Sequence, residues 1–97
     1  VVNLECKYIP YQKDTQVLFS KKYLFPPIVT ASLCYDFLNP EEHEITPYNI
    51  TPSIICLIEQ ENGINQYVGV RIIWSGSIDT IDDAFISIIA VCRDNDD

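Results

Sequence analysis

Ile28-Val29-Thr30-Ala31-Ser32-Leu33-Cys34-Tyr35-Asp36-Phe37 is the stretch that decides the fold class. Successive side chains of an extended strand point to opposite faces, so Val29, Ala31, Leu33, Tyr35 and Phe37 share one face, and Thr30, Ser32 and Asp36 the other. The segment reads as a strand with a core side and a wet side. Outward from it, Val, Ile, Tyr, Phe and Thr dominate the apolar runs, and none of these runs keeps a helical stripe. Further strands are expected at Leu4 to Tyr8, Gln16 to Phe19, Ser53 to Gln60, Gln66 to Trp74 and Phe85 to Cys92. Turn chemistry separates them at Pro10, Pro26-Pro27, Asn39-Pro40, Pro47, Asn62-Gly63 and Ser75-Gly76-Ser77. Glu61-Asn62-Gly63-Ile64 is a hairpin signal, with a loop of two residues or more. Short strands at this spacing in 97 residues predict an all-β fold, a small six-stranded antiparallel β-sandwich forming one domain over 1–97.

The later strands alternate less cleanly. Ile54, Cys56 and Ile58 lie opposite Ile55 and Leu57, while Phe85, Ile89 and Val91 lie opposite Ile86, Ile88 and Ala90. Apolar residues on both faces imply that both faces are covered. A sandwich this small cannot cover its own outside, so a subunit interface and a homo-oligomer are expected; ordinary surface hydrophobicity is the plainer alternative. Charge narrows the partners. Fourteen acidic residues against 6 basic ones give a net charge of -8, which repels a phosphate backbone and argues against nucleic acid. The longest apolar run, residues 84–92, is broken by Ser87 and too short for a spanning helix, so no membrane insertion is expected. The carboxylates at Asp79, Asp82 and Asp83, and at Asp94, Asp96 and Asp97, lack the spacing of a calcium loop and read as solvated. No metal or other cofactor is expected.

Four cysteines, Cys6, Cys34, Cys56 and Cys92, are widely spaced and contain no CxxC pair, which disfavours zinc. An even number in a short chain suggests two disulfides in an oxidising compartment, with buried free thiols as the alternative. Of the three possible pairings, Cys6–Cys92 with Cys34–Cys56 is the one expected. The sequon Asn49-Ile50-Thr51 makes Asn49 a candidate glycosylation site and fits an extracellular or cell-surface protein of the secretory pathway.

The segment Phe19-Ser20-Lys21-Lys22-Tyr23-Leu24-Phe25-Pro26-Pro27-Ile28-Val29 resembles the entry segment of the H-type lectin domain, whose following strand ends near a Ser, here Ser32. Tyr67 and Trp74, with six residues between them, resemble that family's aromatic and tryptophan, and Phe85-Ile86-Ser87-Ile88-Ile89-Ala90 resembles its closing strand, which usually carries a Trp that this chain lacks. The likeness covers roughly residues 16–92. It implies a six-stranded antiparallel sandwich that forms trimers and binds galactose-type sugars, notably N-acetylgalactosamine, near the subunit boundary. The same domain type also serves as a module of larger surface proteins and of phage tail proteins. The sugar contacts carry over thinly. Where the family has a His after its Trp, this chain has Ser75; where a middle strand supplies an Arg, it has Ile55-Cys56-Leu57-Ile58; and Asp14 is the nearest substitute for an N-terminal Asp.

A lectin site needs an aromatic face for a pyranose and a few fixed polar groups for hydroxyls. Trp74, Ser75 and Asp14 are therefore the candidate carbohydrate-binding residues, with the alternatives that Trp74 anchors the core along with Val68, Val70 and Ile72 and that Ser75 only forms a turn. Catalysis is not expected. His43 sits in the polar run Pro40-Glu41-Glu42-His43-Glu44, and the chain has no nucleophile elbow, phosphate loop or HExxH motif. These residues predict a lectin-like module whose partner is a glycan or glycoprotein. The other reading is an assembly domain of a surface or filament protein that has lost its sugar.

Overall fold

The computed structural model describes residues 1–35, 50–76 and 84–96. Its strands are β1 (Val2–Pro10), β2 (Asp14–Tyr23), β3 (Ile28–Tyr35), β4 (Pro52–Glu61), β5 (Ile64–Trp74) and β6 (Ala84–Arg93). They form two three-stranded antiparallel sheets, A in the order β1-β6-β3 and B in the order β2-β5-β4. The chain is a small six-stranded antiparallel β-sandwich, as the strand pattern predicts. Only β4 and β5 are consecutive within one sheet; every other connection crosses between the layers. Asp36, Phe37, His43, Asn49, Ser77, Asp79, Asp82, Asp83 and Asp97 lie outside the described residues.

Local chemistry sets the geometry at two places. Glu61 pairs with Ile64, leaving a two-residue loop in which Asn62 (φ 53°) and Gly63 (φ 78°) both take positive φ. That is the type I′ turn, whose twist matches the flanking strands and which favours Asn-Gly. At Gly69, β2 runs so close that an added Cβ would lie 2.2 Å from the Val17 carbonyl oxygen. The ladders on both sides of β5 shift register just beyond this residue, passing over Val68. Gly69 thus marks a bulge where only a bare backbone fits.

The core lies between the two central strands. β6 buries Ala84, Ile86, Ile88, Ala90 and Cys92 at every second position, and β5 faces it with Val70, Ile72 and Trp74. Val29, Ala31 and Leu33 of β3 pack on this core while Thr30 and Ser32 are exposed, in keeping with the alternation in the sequence. Each fully buried Ile contributes on the order of 1.5–3 kcal/mol through the hydrophobic effect.

The expected disulfides are not formed; all four cysteines are free. Strand parity explains both failures. Cys6 pairs with Ile89 on the outer face of sheet A, whereas Cys92, opposite Asn3, points inward. Cys34, opposite Phe85, also faces outward from sheet A, while Cys56, opposite Val70, faces the interior from sheet B. Each expected bridge would have to pass through a sheet.

Strand β1 is inverted relative to its composition. Its register against β6 places Asn3, Glu5, Lys7 and Ile9 on the inner side, and Val2, Leu4, Cys6 and Tyr8 on the outer side. Leu4 is 65% exposed and Glu5 only 7%. An isolated sandwich is expected to show the opposite polarity.

Candidate functional site

β1 and β2 are edge strands of opposite sheets, one lying over the other along the same side of the sandwich. Glu5 clasps them together. Its carboxylate accepts hydrogen bonds from the Ser20 backbone N–H (3.2 Å), the Ser20 hydroxyl and the Tyr23 hydroxyl (2.9 Å). Burial alone pushes the Glu5 pKa up, but the bonds from Ser20 and Tyr23, with Lys7 nearby, outweigh it and hold the carboxyl below its usual range. Tyr23 responds in the opposite sense: burial, the bond to Glu5 and that negative charge push its phenol up to about 12. A buried carboxylate is tolerable only when hydrogen-bonded in this way.

Between this clasp and the turn joining β1 to β2 lies a groove of about 350 Å³. Lys7, Gln12, Thr15 and Gln16 bring an ammonium, two amides and a hydroxyl to it, and Ile9 and Val17 supply apolar wall. Lys7, Gln12 and Gln16 are exposed, while Val17 is anchored in the core. Donors and acceptors set over apolar walls are the kind of lining that orients a polyhydroxylated ligand. No aromatic ring lines the groove. Beyond the clasp a second hollow of about 280 Å³ is lined by Phe19, Ser20 and the ion pair of Lys22 with Glu59 (2.9 Å).

The residues that the sequence singles out for sugar binding do not converge. Trp74 is 3% exposed, packed in the core and tilted on Tyr11 with ring centroids 6.1 Å apart, so its face is not offered to solvent. Asp14 lies on the opposite face of sheet B, where the Arg71 guanidinium donates to both its oxygens, one bond being 2.9 Å. That pairing holds the Asp14 carboxyl below its ordinary range and raises Arg71. Ser75 is exposed, and its hydroxyl accepts a 2.8 Å bond from the Thr51 N–H, tying the end of β5 to β4. Of the aromatic residues that carry the lectin resemblance, Tyr23 is buried and Phe19 and Tyr67 are half-buried: Phe19 meets Tyr23 edge-on at 5.8 Å, and both pack with Tyr67 near Ala90 and Cys92. Those positions support a fold and not a ligand contact.

The outer face of sheet A is a second candidate surface. Leu4, Val91 and Ile28 form one apolar row across all three strands, and Cys6, Ile89 and Thr30 form the next. Tyr8 stacks on Phe85 at 4.7 Å, with the rings 4° from parallel. Among the described residues this face carries one charged side chain, Arg93, which lies over the Phe25 ring at 4.1 Å. Compared with protein-family models, curated proteins and solved structures, the chain has no match. Its functional reading rests on its own residues.

Proposed function

We propose that the chain is a subunit of a homo-oligomeric, lectin-like recognition module that binds glycans or glycoproteins without catalysing a reaction. One observation carries the reading: β1 turns Val2, Leu4, Cys6 and Tyr8 outward and lines the β1–β2 groove with Lys7 and Ile9. The outward residues suit a neighbouring subunit, because an exposed apolar sheet face is unfavourable in water. Lys7 with the Gln12, Thr15 and Gln16 side chains suits sugar hydroxyls. One strand thus borders both the subunit contact and the ligand, which supports a glycan site at the margin of the oligomer. The sandwich architecture agrees with what the resemblance to H-type lectin domains implies. An extracellular or cell-surface location rests on the Asn49-Ile50-Thr51 sequon alone, since free thiols remove the disulfide argument.

The second reading, an assembly domain without a sugar, draws on the same apolar face. Light scattering and a glycan array on the wild type and on Leu4→Lys separate the two. The lectin reading expects an oligomer that retains a glycan and a Leu4→Lys variant that loses the outer-face contact and the glycan with it. A folded oligomer that retains no glycan leaves assembly as the function, and a wild-type monomer refutes both.

A further inference from the structure

A sheet edge presents unpaired backbone N–H and C=O groups, and proteins commonly guard such edges with charges, prolines or bulges. This sandwich has four edges, and three carry those guards. β1 contains Lys7 and Pro10; β2 contains Asp14, Lys21 and Lys22 with a break in register; β4 contains Pro52, Glu59 and Glu61 and pairs with the bulged strand β5. β3 reads Ile-Val-Thr-Ala-Ser-Leu-Cys-Tyr and has neither a charge nor a proline. Its ladder with β6 is continuous over all eight residues, with no bulge. Among the described residues β3 pairs only with β6. Val29, Ala31 and Leu33 face the core yet remain partly exposed, while Ile28 is 73% exposed.

We propose that the β3 edge pairs antiparallel with the β3 edge of a second copy. Charge selects this occupant. The chain carries a net charge of -8, so two copies repel each other wherever carboxylates meet, and β3 is the one strand free of ionisable Asp, Glu, Lys and Arg. Antiparallel self-pairing is isologous: one two-fold axis satisfies both edges and joins the two A sheets into a continuous six-stranded sheet. The contact is distinct from packing through the outer face of sheet A, and it does not depend on glycan binding. Together the two contacts would link closed oligomers into larger assemblies.

Amide hydrogen exchange across a concentration series, read with light scattering, tests the pairing. Leu4→Lys disables the outer face while leaving the β3 edge intact. In that variant a dimer is expected to form with rising concentration, and amides in Ile28–Tyr35 gain protection in step. Adding Ser32→Lys sets like charges across the two-fold axis and should weaken the dimer about fivefold or more. Exchange of the β3 amides that stays independent of concentration up to the millimolar range would overturn the proposal, whatever the outer face or the glycan array shows.

Discussion

Replacing Glu5 removes the acceptor that joins the two sheets at the β1–β2 side. In Glu5→Ala, the Ser20 N–H, the Ser20 hydroxyl and the Tyr23 hydroxyl all lose their partner. Ser20 is exposed and water can replace its bonds, but Tyr23 is only 1% exposed. A hydrogen bond to a charged group contributes about 1.5–3 kcal/mol, and a stranded buried donor costs a similar amount, so a loss of about 3 kcal/mol is expected. For a domain of this size that lowers Tm by about 15 °C, and Glu5→Gln, which keeps one acceptor, should lose about half as much. The pH dependence follows from the depressed pKa of Glu5. Its stabilisation is fully present above the unfolded-state value, about 4.3, and is lost as pH falls through the lower folded-state value. Thermal melts of wild type and Glu5→Gln should therefore differ at neutral pH and converge as pH falls through the lowered folded-state pKa of Glu5. Equal melting temperatures at neutral pH, or a gap that persists undiminished in acid, would refute the clasp.

Trp74→Ala should destabilise the sandwich by about 3–5 kcal/mol because it empties a core site, while Trp74→Phe should keep the fold; chemical denaturation measures both. Gly69→Ala drives a methyl group into the Val17 carbonyl and should cost about 2 kcal/mol or more, read in the same assay. Thiol titration in denaturant without reductant should count four free cysteines. In the native protein the exposed Cys6 should react first, whereas burial raises the Cys34 and Cys92 thiols and should delay both.

The fold was legible because period-two alternation survives wherever a strand has one dry side. Val29, Ala31 and Leu33 announce β3, and Asn62-Gly63 announces the turn between β4 and β5 by the positive φ that both positions adopt. Parity could also have spoken on the cysteines, but only with the register in hand: Cys92 lies opposite Asn3, three positions along the ladder from Cys6 and on the other face of the sheet. The site was less legible because its signal is inverted. Glu5 sits between Leu4 and Cys6 and reads as the solvent side of a strand, yet the hydroxyls that bury it come from Ser20 and Tyr23, fifteen and eighteen residues away. The groove brings Lys7 together with Gln12, Thr15 and Gln16, residues that carry no motif and become a set only where one edge strand overlies another. Trp74 misleads for the complementary reason. It is an aromatic at a strand end, but its parity with Val70 and Ile72 places it inside.

The most direct test of glycan recognition is backbone chemical-shift mapping of the intact oligomer, titrated with sugars retained on an array. The account predicts that the largest shifts fall on Lys7, Gln12, Thr15 and Gln16, with Trp74 little affected, and that Gln12→Ala weakens the titration without altering the oligomer. Shifts centred away from residues 7–18, or a folded oligomer that retains no sugar at all, would contradict it.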